Sequence, residues 1–322
     1  MNTLLTLLCL SSTLAMADDA AMPSLQQLFD RAQYQQVLQH SHAKHDADSM
    51  ALRVQSLIQQ QQRDEAQNLL DAALLQFPQQ SELYYLSGIN LIALAGTGSV
   101  FNARGRATRG IEMLQQAINI DPGHFAAQQA LIQFYLVAPA SAGGSEELAR
   151  QHIAQLTEID VAQGVLAEVQ LLLHENQMAK AVKLLDKQLQ LTPLHPELLM
   201  RRGALLSRQN IFQLALDDFQ QVIQLDVPVA QRYQALFQIG RLAVLSETDY
   251  IAGISALTEY LTFFADSEQS RLPWARLRLV QLLLLTDNHA AAKHWFTDSP
   301  LRPDDADYTA LHQQLQSQLQ LQ

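Results

Sequence analysis

The feature that most constrains this chain is a recurring order of small and large residues at helical spacing. Between positions 199 and 228, Leu199 is followed by Gly203 and Leu206, then by Ala215 and Phe219, and the stretch closes on Val227-Pro228. The order returns along the chain. Ala66, Leu70, Ala73 and Pro78 repeat its second half. Tyr84 and Gly88 lead to Gly110, Leu114, Ala117 and Pro122, and Leu131 and Tyr135 lead to Ala149 and Ile153. Ala181, Leu185 and Pro193 follow, then Leu236 and Gly240 with Gly253 and Leu257, and finally Ala291 with Trp295. Small slots let the two helices of a pair approach closely, and large slots fill the gap to the neighbouring pair. Such a unit cannot bury its apolar face alone, so the pairs must stack into one continuous array.

Composition agrees with an all-helical array. Leu, Ala and Gln dominate the 322 residues, glycine is sparse at 12, and 48% of residues are hydrophobic against 16% charged. Unbranched side chains lose little rotamer freedom in a helix, and this apolar content is too high for a disordered acidic tail. The net charge of −11 argues against a general affinity for nucleic acid or anionic membrane, which needs clustered Lys and Arg.

The slot order resembles the tetratricopeptide repeat, which places a bulky residue, a Gly and a large apolar residue before A-x3-F and a closing Pro, at a period of ~34 residues. The resemblance runs from about Asp46 to Phe296, with a half-repeat before it in 18–45. It implies an all-α, right-handed superhelical solenoid of about seven antiparallel helix pairs. A capping helix in 303–322 ends in polar "QQLQSQLQLQ". It also implies a protein that binds other proteins rather than a catalyst. The turn "APASAGGS", 138–145, and "IGRLAVLSETDYIAGISALTEYL", 239–261, are similar to a subgroup of exported bacterial repeat proteins.

Two adjacent repeats carry longer connections than helix hairpins need, near 96–109 and 138–144. Pro139 biases Ala138 away from helix, Gly143-Gly144 frees the backbone, and Ser145 is expected to cap the next helix, with Glu146 and Glu147 in its first turn. Both connections fall on one edge of the array and are expected to be insertions between the helices of their pairs.

The first 17 residues, "MNTLLTLLCLSSTLAMA", have the apolar core and the small-x-small site, Ala15-Met16-Ala17, of a secretory signal. Cleavage there predicts a periplasmic protein beginning at Asp18, with no membrane insertion afterwards. Cys9 is the only cysteine, so the mature chain would have neither disulfides nor thiolate chemistry.

The search for catalytic chemistry finds little. Gly105 and Gly110 have phosphate-loop spacing, but Ile111 stands where Lys belongs and no strand precedes them. His40, His42 and His45 lack the i, i+4 spacing that a helix uses to hold a metal. No G-x-S-x-G is present, and Asp217-Asp218 and Asp304-Asp305 read as solvated surface. No cofactor and no metal site are expected.

Binding residues are more legible. The first helix of each pair should line the concave side, which places Gln133, Gln170, Arg208, Arg241 and Arg276 along a groove. Aligned amide and guanidinium groups suit an extended, acidic peptide or its carboxylate. Arg104, Arg106 and Arg109 form a second basic cluster that either meets a partner or pairs with nearby carboxylates. The reading is an adaptor in the bacterial cell envelope. Alternatives are a solute- or glycan-binding groove, or an enzyme with its site in the two long connections. Oligomeric state and partner identity are open.

Overall fold

A computed structural model describes residues 23–42, 44–97 and 100–320, with the side chains of 100 and 101 left aside. The expected signal segment, Cys9 included, lies outside the described residues. Within them the fold is an all-α superhelical repeat with 17 α-helices and no strand. Helices pair in chain order: α1 (Leu25–Asp30) with α2 (Tyr34–Ser41), α3 (Ala47–Gln59) with α4 (Arg63–Gln76), and α5 (Ser81–Thr97) with α6 (Val100–Ile120). Then come α7 (Phe125–Val137) with α8 (Glu146–Ile159), α9 (Val161–His174) with α10 (Met178–Leu191), and α11 (Pro196–Arg208) with α12 (Phe212–Val222). Last are α13 (Val229–Ser246) with α14 (Tyr250–Phe263), α15 (Leu272–Leu285) with α16 (His289–Thr297), and the unpaired α17 (Ala306–Gln320).

The slot residues do what their sizes dictate. Leu70, Leu114, Ala117, Ala149, Leu185, Ala215, Phe219 and Leu257 are all buried. The glycines mark where helices of a pair cross. A Cβ on Gly88 would lie 2.9 Å from the carbonyl oxygen of Gly110, and one on Gly240 would lie 2.1 Å from Leu257 Cγ. Only glycine permits that approach.

Curvature follows from which helices touch. First helices of successive pairs pack on one another, α1 on α3, α3 on α5, α5 on α7, α7 on α9, α9 on α11 and α13 on α15, with α11 and α13 the one step where the contact is slighter. Contacts of that extent do not join successive second helices among the described residues. The first helices therefore form the tighter, concave side.

The connection near 96–109 is not the loop that was expected. α5 runs to Thr97 and α6 begins at Val100, so most of the insertion lengthens the two helices. No proline interrupts the stretch, and Ala103, Arg104, Arg106, Ala107 and Arg109 outweigh the helix cost of Gly105, about 1 kcal/mol. The second connection is a defined turn. Ala138 ends α7, a 3-10 turn spans Ala140–Ala142, and Ser145 Oγ accepts from Leu148 N at 3.2 Å as the N-cap of α8. Gly143 sits at φ 103, and a Cβ on Gly144 would meet the Ala138 oxygen at 1.7 Å. The turn packs over Ile111 of α6, where a Cβ on Gly143 would lie 3.5 Å from its Cδ1.

Candidate functional site

The concave side of α7, α9, α11 and α13 holds a cavity of about 510 Å³ lined by Gln129, Gln163, Gln170, Glu197, Arg201 and Gln234, with Phe125 at one end. Seven-residue steps bring Gln163 and Gln170 to one face of α9, Arg201 and Arg208 to one face of α11, and Gln234 and Arg241 to one face of α13. Amides link the walls. Gln129 Nε2 donates to Gln163 Oε1 at 3.2 Å, Gln163 Nε2 donates to Glu197 Oε2 at 2.5 Å, and Gln170 Nε2 donates to Gln129 Oε1. Gln170 Oε1 is buried and accepts no hydrogen bond. An amide oxygen in that state is a receptor for an incoming N–H or O–H donor.

Basic groups continue the row. Arg241 Nη1 donates to Ser207 Oγ at 3.1 Å, bridging α13 to α11. Arg278 of α15 donates to Gln281 Oε1 at 2.8 Å and lies 5.3 Å over the Trp274 ring. Burial lowers the Arg201 and Arg278 guanidinium pKa values from the ordinary arginine value; the positive charge of Arg208 adds to this at Arg201, and that of Arg241 adds to it at Arg278. The cations thus act on one another in two pairs, Arg208 on Arg201 and Arg241 on Arg278. Among the described residues none of the four is in an ion pair, although the chain as a whole carries −11.

Of the residues singled out from sequence, Gln133 is exposed one turn beyond Gln129, Gln170 lines the cavity, and Arg208 and Arg241 belong to the basic row. Arg276 does not. Its Nη1 donates to the Asp298 oxygen at the end of α16, and its Nε is buried without a partner. Counting slots through the long α14–α15 connection shifts the register, and Arg278 is the residue that joins the row. Arg201 and Arg278 were missed from sequence, although Arg201 stands one heptad before Arg208.

The second basic cluster divides. Arg106 reaches Leu94 O at 3.2 Å and Asp64 Oδ1 at 3.8 Å, and Arg109 pairs with Asp71 Oδ1 at 2.6 Å. Both tie α6 to α4, which is the pairing alternative, and only Arg104 remains exposed and unpaired among the described residues. Asp218 also departs from expectation: it is not solvated but 1% exposed, held by Arg202. It takes the position before Phe219 that faces α11 rather than water.

No family model matches the chain, and no curated protein matches it. Among solved structures the chain is similar to the crystal structure of the APC/C hetero-tetramer Cut9-Hcn1, at 14% identity and a TM-score of 0.46. That likeness covers 90% of this chain and 54% of the other, so the chain spans about half of that relative's length. It is similar to yeast Tom70 at 14% identity, covering 96% of this chain and 67% of that one, with a TM-score of 0.47. It is also similar to a tetratricopeptide repeat protein from Parabacteroides merdae at 16% identity, covering 73% and 86%, with a TM-score of 0.38. These likenesses concern the fold. No helix among the described residues is long and apolar enough to cross a membrane.

Proposed function

We propose that this chain is a non-catalytic scaffold of tetratricopeptide type that takes an extended, acidic segment of a partner protein along its concave face, and that it works in the bacterial cell envelope after export. The observation that carries the reading is the row of Arg201, Arg208, Arg241 and Arg278, cations that enter no ion pair among the described residues although the chain carries −11. Guanidinium forks bind carboxylates through paired, charge-assisted hydrogen bonds, and a row of them reads a linear segment better than a folded surface. The Gln129, Gln163 and Gln170 amides offer donors and acceptors to the segment's main chain next to that row. The overall negative field repels acidic chains elsewhere, so the row also sets the orientation of approach.

A second reading is favoured by one feature alone. The unsatisfied Gln170 oxygen, the surrounding amides and Phe125 would suit a polar solute or a sugar in the cavity. Fluorescence anisotropy with a labelled decaglutamate peptide and a panel of oligosaccharides separates the two. Salt-sensitive peptide binding that a neutral glutamine peptide does not reproduce supports the scaffold. Binding of a sugar without the peptide supports the second reading.

A further inference from the structure

The array does not end freely: its first pair rests on its seventh. The turn between α1 and α2 meets the connection 264–271 that joins α14 to α15. Glu268 N donates to Ala32 O at 3.0 Å, and the Gln33 side-chain amide donates to Asp266 O at 3.3 Å. The Glu268 carboxylate accepts from Gln35 N through Oε1 and from the Gln60 side-chain amide through Oε2, both at 2.9 Å. Arg31 lies 5.8 Å over the Phe263 ring. Ala32 is 2% exposed within the apolar cluster that contains Tyr260 and Phe264, and Tyr34 packs on the same cluster.

This seam also organises the local structure. α1 and α2 have six and eight residues, too few to hold as isolated helices. Gln33 at the N-cap of α2 makes no side-chain capping bond, and Glu268 supplies the acceptor from 233 residues away. Ala32 lies at φ 53, as Gln61, Asn176, Asn210 and Asp287 do near φ 60 at the turns of their own pairs, so its backbone is that of the repeat, and the seam adds the partner for its carbonyl oxygen.

In an open solenoid each repeat touches only its neighbours, and small rotations at each interface sum to the overall curvature. Tying the first pair to the seventh removes that freedom. We propose that the seam centred on Glu268 is a latch that locks the array into a closed collar and presets the concave face for its partner, while the unlatched array binds more weakly. The inference rests on the reading of the concave face as the partner site. The row it would hold in place comes from α11, α13 and α15, which flank the latched connection on both sides in sequence. Fixing their spacing before binding lowers the ordering cost that the partner must otherwise meet.

The test uses the full chain with Cys9→Ser, Ala32→Cys and Glu268→Cys. The hydrogen bond from Glu268 N to Ala32 O makes these two positions neighbours, the first condition for a disulfide between them. Oxidation closes the seam covalently, and reduction leaves it without the Glu268 carboxylate in the same folded molecule. Three quantities are read in each state: the fraction oxidised in a glutathione buffer, the radius of gyration by small-angle scattering, and the affinity for labelled decaglutamate. The latch predicts near-complete intramolecular oxidation, a compact oxidised form with the scattering of the native chain, and an expanded reduced form. It also predicts peptide affinity about tenfold weaker on reduction. Failure to oxidise, or scattering that is identical in both states, overturns the latch. Equal peptide affinity in both states overturns its bearing on the groove. A latch that forms and opens while no state binds the peptide sinks the groove reading, and with it the presetting, but leaves the closed collar standing.

Discussion

Arg202 holds Asp218 side-on with two of its nitrogens, Nη2 donating to Oδ1 at 2.6 Å and Nε to Oδ2 at 3.0 Å, in the cleft between α11 and α12. Its remaining nitrogen, Nη1, bonds Asp186 of α10 at 2.9 Å, so one guanidinium staples three helices of two repeats. Burial pushes the Asp218 carboxyl above the usual carboxylate range, and the Arg202 bonds oppose that push. The pair is costly to assemble and costly to break. Removing one partner strands a buried charge, so Arg202→Met is expected to cost about 3–5 kcal/mol in urea denaturation. Replacing both, Arg202→Met with Asp218→Leu, should recover most of that loss. A double variant no more stable than the single one would show that the pair is not the source of the effect.

Glycine slots predict opposite signs for one substitution. A Cβ on Gly240 would lie 2.1 Å from Cγ and 2.6 Å from both Cδ atoms of Leu257, which is fully buried and cannot swing away. Gly240→Ala should therefore destabilise by about 1–3 kcal/mol despite the gain in helix propensity. Gly105 lies on the exposed side of α6 with nothing within 4 Å of its Cβ position. Gly105→Ala should stabilise by about 0.5–1 kcal/mol. Thermal melts of the two variants side by side decide the point.

Where the sequence spoke clearly, one residue had one local reason. Pro139 stops α7, Ser145 caps α8, and the alternation of Gly203, Ala215 and Phe219 fixes how α11 meets α12. Half of the basic row followed from the same register, Arg208 and Arg241, and so did Gln170 in the cavity beside it. Register fails once a connection changes length, which is why Arg276 was read in place of Arg278. The seam left no periodic trace at all. Its partners are 233 residues apart, and "FADSEQSR", 264–271, reads as an ordinary polar turn until Ala32 and Gln60 are brought beside it. Asp218 left no sequence signal because its burial depends on Arg202, which comes from the facing helix.

Acid sensitivity at the third helix follows from its cap. Asp46 accepts from Ser49 N and from Ser49 Oγ, both at 2.8 Å. Those bonds, the backbone one foremost, hold its carboxyl below the ordinary aspartate value. A folded-state pKa depressed in this way contributes stability above the unfolded value of about 3.9 and loses it as pH falls through the folded one. Asp46→Ala should cost about 1 kcal/mol at pH 7, a typical loss for an N-cap. Asp46→Asn should keep the cap at pH 7, and its stability should fall less steeply than that of the parent chain below pH 4. Parallel slopes for parent and Asn variant in that range would refute the cap as the titrating contribution.

The basic row gives the sharpest functional contrast, because two arginines expected to act alike do not share an environment. Arg241 bonds only Ser207 Oγ and faces the concave side, whereas Arg276 is tied to the Asp298 backbone with its Nε buried. Arg241→Glu reverses a charge beside Arg278 without stranding a buried group. Its stability should change by about 0.5 kcal/mol, while decaglutamate binding should weaken by about 1–3 kcal/mol, the range for a charge-assisted contact. That difference should shrink as salt rises from about 0.05 to 0.5 M, since the contact is partly solvent-screened. Arg276→Glu should do the reverse. It places a carboxylate against the Asp298 carbonyl and should lower the melting temperature while leaving peptide affinity near that of the parent chain. Equal binding losses from the two variants would mean that the concave row has no special role, and Arg104, the exposed and unpaired cation of the second cluster on α6, would be the next to examine.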